Sequence, residues 1–253
     1  LQGWCLLQLG KPQAALGLGE AVQLLATEHD ALREMARGSN LVGAIYKALG
    51  NLERAAASMR AGLELHRELG DRLRVVGTLN NLGLIAEEQG DYATAVELYH
   101  EAVGLAREIK DAEFELQSLG NLGGARVRLG SYDEGAADLR QALRLAETVG
   151  LAELARFYCR LAEANLGQDD PIGALVALQQ AFELAQAYHD DAALALAWRV
   201  LGQVLSQPAG RAAARAAALT LPLREGAPDA EACFAESERI FGELGMSVER
   251  ART

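Results

Sequence analysis

Residues 80–106 read NNLGLIAEEQGDYATAVELYHEAVGLA, and residues 120–146 read GNLGGARVRLGSYDEGAADLRQALRLA. The two stretches lie 40 residues apart and share an Asn-Leu-Gly triplet, a Gly-x-Tyr triplet and a closing Leu-Ala pair. The same spacing relates four glycines along the chain, Gly3, Gly43, Gly83 and Gly123. A period between about 20 and 50 residues is typical of repeat proteins, in which each repeat buries its apolar face against its neighbours.

Each repeat is predicted to contain two α-helices. In the copy that includes residues 80–106, apolar residues recur at helical spacing over Leu73–Glu88, here called helix A, and over Tyr92–Ile109, helix B. Gly90 suits a left-handed turn between the helices, and Asp91 suits the cap of helix B. Small residues on the two helices, Gly83 and Ala95, are expected to face each other.

Composition favours an all-α protein and excludes several classes of function. Half of the 253 residues are hydrophobic, only 5% are aromatic, and there are five prolines. The formal net charge of −11 argues against a nucleic-acid partner, because such partners select a basic surface. No apolar run is long enough for a membrane span, so no membrane partner is expected. Three widely separated cysteines argue against a disulfide framework and favour a cytoplasmic location.

No catalytic constellation is present in the sequence. It contains no metalloprotease, nucleophile-elbow, paired-cysteine or phosphate-loop motif. The four histidines are interpreted as structural or solvated, and Cys159 has arginines within a helical turn but no identifiable base. We therefore expect no enzyme activity, no cofactor and no metal site.

The pattern resembles the tetratricopeptide repeat. The resemblance rests on Leu79-x-x-Leu82-Gly83, followed by Tyr92-x-x-Ala95-x-x-x-Tyr99-x-x-Ala102. The common unit has about 34 residues, whereas this longer Asn-Leu-Gly type is similar to repeats of kinesin light chains, spindle adaptors and bacterial signalling regulators. The resemblance implies an all-α, right-handed superhelical solenoid of antiparallel helix pairs.

The repeat boundaries are predicted from the period. A truncated repeat at 1–30 precedes full repeats at 31–70, 71–110, 111–149 and 150–189. The last repeat, 190–245, contains an insertion at about 206–229. That insertion is predicted to be a mobile loop or a loosely attached helix around Arg211–Leu219. Residues 246–253 are predicted to begin a capping helix or a further repeat.

The resemblance also implies that helices A line a concave ligand-binding face. The positions expected to be exposed there are rich in amide and guanidinium groups: Arg37, Asn40, Asn80, Asn81, Gln117, Asn121, Arg128, Arg156, Arg160 and Arg199. An amide donates and accepts hydrogen bonds at once, which suits a peptide backbone, and a guanidinium suits carboxylate or phosphate. Asparagine before Leu-Gly also has a structural interpretation, in which it bridges adjacent helices A.

Two functions are consistent with the sequence. The first is a non-catalytic scaffold that binds a protein or an extended, acidic peptide, as part of a larger bacterial signalling or regulatory protein; self-association is compatible with it. The second is a small-molecule or effector sensor domain of a bacterial transcriptional regulator or signalling ATPase. A sensor would need aromatic side chains in the groove, and Tyr46 and Trp198 are the few candidates on helices A.

Overall fold

The protein folds into α-helices joined by short turns. The computed structural model describes residues 2–149, 154–216 and 229–246, and within them it contains thirteen α-helices and no strand. The helices are α1 (Gln2–Gln8), α2 (Pro12–Glu28), α3 (Leu32–Ala48), α4 (Leu52–Glu68), α5 (Arg72–Glu88), α6 (Tyr92–Ile109), α7 (Ala112–Leu129), α8 (Tyr132–Val149), α9 (Leu154–Gly167), α10 (Pro171–Ala187), α11 (Asp191–Ser206), α12 (Pro208–Ala216) and α13 (Ala230–Glu243). The predicted all-α class is confirmed. Helices A are α1, α3, α5, α7, α9 and α11; helices B are α2, α4, α6, α8, α10 and α13.

The turn between α5 and α6 forms as the sequence predicts. Gly90 has φ of 81°, in the left-handed region that favours glycine. The Asp91 carboxylate accepts a hydrogen bond from the Thr94 backbone N–H over 3.1 Å, which caps α6. Helix α6 has the predicted bounds, and α5 begins one residue earlier than predicted, at Arg72.

Contacts divide the chain into two compact units, residues 1–125 and 126–253. In the first unit, Val76 and Leu79 of α5 are fully buried with Met59 of α4 and other apolar residues. A Cβ at Gly83 would lie 2.4 Å from the Tyr99 ring of α6, so the absent side chain lets the two helices approach. The atoms nearest to Gly83 thus belong to the Tyr99 ring, and the expected Gly83–Ala95 contact stays a prediction.

In the second unit, α11 packs against α13, α10 and α9. Leu201 and Val204 of α11 are fully buried, and Phe241 of α13 is 2% exposed. A Cβ at Gly202 would meet the Phe234 ring at 2.6 Å. An aromatic ring against a glycine thus recurs in this unit, where α13 is the helix B that covers α11.

The described half of the insertion is a helix attached to its neighbours. Helix α12 begins at Pro208, and Gly210 is buried against Val204. The Arg211 guanidinium donates to the backbone oxygens of Leu205 and Ser206, over 2.8 and 3.0 Å, and so caps α11. These contacts join α12 to the end of α11, and the mobility of the insertion stays a prediction. Residues 217–228, the predicted repeat start at 150–153 and the tail at 247–253 lie outside the described residues.

Candidate functional site

Two amide side chains join neighbouring helices A. Asn40 Nδ2 of α3 donates to Thr78 Oγ1 of α5 over 2.7 Å, and Asn80 Nδ2 of α5 donates to Ser118 Oγ of α7 over 2.8 Å. Both bonds span 38 residues, so the same link recurs one repeat later. We call these side chains the bridging amides, because they couple helices within the first unit.

The bridging amides correct the expectation that Asn40 and Asn80 are exposed on the concave face. Asn80 is only 4% exposed, and Asn40 is half-buried. The reason is their helical position, which directs them at the next helix A. The sequence contained a signal for this role that was missed. Each bridging asparagine is followed 38 residues later by a hydroxyl residue that is itself buried, Thr78 or Ser118.

Three other predicted amides have no such role. Asn81 and Gln117 are exposed, and Asn121 is half-buried. Within the described residues, none of these three side chains forms a hydrogen bond. We call them the open amides. All three belong to the first unit.

Arg37 is the predicted basic residue that the first unit exposes. It lies on α3, its side chain is exposed, and it makes no ion pair among the residues that the structure describes. Its charge reaches the nearby imidazole of His66, where it lowers the pKa. Arg37 is therefore a solvent-facing cation on a helix A.

The four predicted arginines of the second unit have different surroundings. Arg128 and Arg156 are exposed and Arg160 is half-buried, and each interacts with another group of the protein. Arg199 is only 5% exposed, which corrects its predicted place on the open face. Its Nη2 lies 3.8 Å from Glu163 Oε1, and its guanidinium carbon lies 6.0 Å from the centroid of the Phe241 ring. Arg199 is buried because α13 packs over this position of α11.

Cys159 has the properties of a core residue. The side chain is fully buried on α9, and its Sγ lies 3.8 Å from the backbone oxygen of Ala193. Burial, with the negative charge of Glu163, raises the pKa of the thiol far above its usual range. A protonated, buried thiol is a poor nucleophile, so the arginines next to Cys159 do not make it reactive.

The two aromatic residues considered for a sensor pocket pack within the protein. Tyr46 is half-buried against the apolar core of the first unit, and the Arg54 guanidinium lies 5.5 Å from its ring centroid. Trp198 is half-buried, and its ring meets Phe182 edge to face with centroids 5.0 Å apart. Their rings thus contribute to internal contacts in their respective units.

The described residues contain no candidate metal cluster and no candidate membrane span. No group of three or more His, Cys, Asp or Glu side chains there is placed to hold a metal ion. None of the described helices is both long and apolar enough to cross a membrane.

Comparison with known proteins identifies the repeats. The tetratricopeptide repeat family matches residues 34–108 and again residues 73–148. No curated protein matches the sequence significantly. The two overlapping matches cover the stretch that includes both bridging amides and the three open amides.

Solved structures with the same fold include RapI, a Rap protein in a complex and a signal transduction ATPase. The apo form of RapI has a TM-score of 0.76 at 15% identity, over 99% of this chain and 92% of RapI. A Rap protein complexed with Competence and Sporulation Factor has a TM-score of 0.65 at 13% identity, over 99% of this chain and 70% of that protein. A signal transduction ATPase with numerous domains from Pyrococcus horikoshii carries a tetratricopeptide repeat sensor. It has a TM-score of 0.67 at 17% identity, over 96% of this chain and 38% of the ATPase.

At these identities the structural likeness establishes the fold alone. The sequence match, by contrast, assigns a defined stretch to a family, and the helix pairs outside that stretch have the same architecture. Residues 34–148 therefore match the tetratricopeptide repeat family, and the chain as a whole has the corresponding all-α solenoid fold.

Proposed function

We propose that this protein is a non-catalytic binding module for an extended peptide or peptide-like protein segment, within a larger signalling or regulatory protein of the cytoplasm. The observation that carries the proposal is the contrast between the amides of neighbouring helices A. Asn40 and Asn80 hydrogen-bond within the protein, whereas Asn81, Gln117 and Asn121 keep their hydrogen-bonding groups open.

The open amides match the chemistry of a peptide backbone. An extended backbone presents alternating N–H and C=O groups, and a carboxamide can bond to both kinds at once. Asn81 lies on α5, whereas Gln117 and Asn121 lie one turn apart on α7. Such contacts do not depend on the side chains of the ligand, so they would provide affinity more than sequence specificity.

We assign the preference for acidic ligands to the arginines. Arg37 is an exposed cation without an ion pair among the described residues, and a guanidinium binds carboxylate in a bidentate geometry. The preferred ligand is therefore a segment with acidic side chains. Arg128, Arg156 and Arg160 are proposed to add to this preference in the second unit, where they are exposed or half-buried.

The comparisons support a regulatory binding role at the level of fold. One protein with this fold is complexed with Competence and Sporulation Factor, and another has the fold as a sensor. The sensor function remains the second candidate on that likeness. It is disfavoured by Tyr46 and Trp198, because their rings already pack against Arg54 and Phe182.

The proposal is tested by measuring the binding of a library of unstructured peptides, acidic and neutral, to the wild-type chain and to variants. The double variant Asn81→Ala with Asn121→Ala should lose about 1 kcal/mol or more of binding free energy, from two hydrogen bonds. That loss corresponds to a weakening of Kd by about fivefold or more. Arg37→Ala should reduce the preference for acidic peptides and the dependence of Kd on salt, because exposed charges are screened.

The matched control is Gln13→Ala, which removes an exposed amide from α2, a helix B of the same unit. It should leave peptide binding unchanged. Helical content should be the same in all variants, since the substituted amides make no bonds within the described protein. Equal binding by the double variant and the wild type, or a larger loss in Gln13→Ala, would contradict the proposal.

A further inference from the structure

Three polar side chains meet where α3, α4 and α5 pack together. Asn40 Nδ2 lies 2.7 Å from Thr78 Oγ1 and 3.3 Å from His66 Nε2. His66 is completely buried and Thr78 is 1% exposed. A histidine in such a place is uncommon, because its polar nitrogens need partners when they leave water.

With the Asn40 amide oriented as in the structure, the hydrogen bonds select the neutral form of the ring. Thr78 Oγ1 donates its single hydrogen to the Arg74 backbone oxygen over 2.8 Å, so it must accept from Asn40. The second hydrogen of the Asn40 amide then points to His66 Nε2, which must be unprotonated to accept it. The ring is therefore neutral, with its hydrogen on Nδ1. His66 Nδ1 and Asn40 Oδ1 are both buried, and neither has a hydrogen-bond partner within the described residues.

Other repeats show that packing alone does not require this histidine. Alanine occupies the equivalent position in four helices B, and each is buried: Ala26, Ala106, Ala146 and Ala185. One turn before His66, Gly62 stands where Ala102 and Ala142 occur. A Cβ at Gly62 would lie 2.5 Å from Asn40 Oδ1, so the glycine makes room for the amide. His66 and Gly62 thus both replace the alanine of other repeats, and both allow the contact among Asn40, His66 and Thr78.

Charged groups approach the imidazole from two of the packed helices. Arg37 comes from α3 and Arg74 from α5, while Asp71 caps the start of α5. Burial is the largest influence and lowers the pKa of His66, Asp71 opposes it, and the two arginines lower it further. The neutral ring that the hydrogen bonds require is therefore also the form that the surroundings favour.

We propose that the Asn40–His66–Thr78 cluster is a proton-sensitive coupling that holds α3, α4 and α5 together near neutral pH and loosens under mildly acidic conditions. A proton from solvent adds to Nε2, and the new N–H then faces the amide N–H of Asn40. The Asn40 amide must turn so that Oδ1 accepts from the ring, which withdraws its donor from Thr78. Thr78 can restore that link only by giving up its bond to the Arg74 oxygen, so a buried hydrogen bond is lost either way.

The sign of the pH effect follows from the two states of the chain. In the unfolded chain the imidazole has its ordinary pKa of about 6.5, and in the folded protein the pKa is lower. As pH falls below about 6.5, the unfolded chain binds the proton first, so the folded state loses stability. Above that pH both states are neutral at His66, and the group adds no pH dependence.

The test compares thermal unfolding of the wild-type chain, His66→Ala and His66→Gln at pH 7.5 and 5.5. Alanine is the residue that other repeats use at this position, and glutamine keeps a polar side chain that does not titrate. Carboxylates destabilise all three proteins equally on acidification. The wild type should therefore lose about 2 °C or more of Tm beyond the loss in either variant. His100→Ala, which removes an exposed imidazole from α6, should keep the wild-type profile.

A direct measurement of His66 by NMR titration completes the test. The expected result is a midpoint below that of a histidine in an unstructured peptide. A midpoint at or above that value, or the same acid-induced loss of Tm in all variants, would overturn the proposal. These measurements involve no ligand, so their outcome is independent of the proposed peptide binding.

Discussion

Asn80 and Asn81 are adjacent, chemically identical residues with opposite surroundings. Asn80 is 4% exposed and donates to Ser118, whereas Asn81 is exposed and makes no hydrogen bond among the described residues. Adjacent residues on an α-helix differ by about 100° in direction. That rotation separates an amide that couples two helices from one that faces solvent. The helical position, and not the residue type, therefore decides the role.

The same distinction applies to arginines of the second unit. Arg156 on α9 is exposed, while Arg199 on α11 is buried near Glu163 and Phe241. Arg199 occupies the position of the bridging amides in its repeat, three residues before the small residue Gly202. In three of the repeats this position thus holds an amide or guanidinium that contacts a neighbouring helix: Asn40, Asn80 and Arg199.

The largest expected difference in stability is between substitutions of two glycines, Gly83 at a buried helix contact and Gly104 on an exposed helix face. Gly83→Leu should destabilise the protein by about 3 kcal/mol, because even a Cβ there would lie 2.4 Å from the Tyr99 ring. Gly104→Leu should be neutral or stabilise by up to about 0.8 kcal/mol through helix propensity, since nothing lies within 4 Å of its Cβ. Urea unfolding of the two variants measures this difference, and equal losses would contradict the assignment of faces.

A smaller effect is expected for the arginines. Arg199→Ala should cost about 2 kcal/mol, less than the 3–5 kcal/mol of a tight buried pair, because its separation from Glu163 is 3.8 Å. Arg156→Ala, on the exposed side of α9, should stay within about 0.5 kcal/mol. Thermal unfolding followed by circular dichroism would measure both. A larger loss for Arg156→Ala would show that Arg156 is the coupling residue.

Most of the fold was predictable because each repeat contains similar turn and packing residues at the same spacing. The 40-residue period, the left-handed Gly90 and the Asp91 cap were each visible in the sequence and are present in the structure. The attachment of α12 was not predictable. It depends on the Arg211 guanidinium reaching the end of α11, which is a tertiary contact with no local pattern.

The candidate site was predictable only as a set of positions. The sequence placed ten residues on one face, and the structure separates Asn80 and Arg199, which are buried, from exposed members such as Asn81 and Arg37. Asn80 and Asn81 differ by a single residue along the helix, which is finer than an assumed family geometry resolves. Thr78 and Ser118, each 38 residues after a bridging asparagine, were the sequence signal that Asn40 and Asn80 couple helices.

Position on helix A separates amides that couple neighbouring helices, such as Asn80, from amides that face solvent, such as Asn81. The most direct test is the free energy of unfolding of Asn80→Ala and Asn81→Ala, measured side by side by urea denaturation. Asn80→Ala should lose about 1–2 kcal/mol, because it removes a buried hydrogen bond and leaves Ser118 without that donor. Asn81→Ala should stay within about 0.5 kcal/mol of the wild type. An equal or larger loss for Asn81→Ala would contradict the claim.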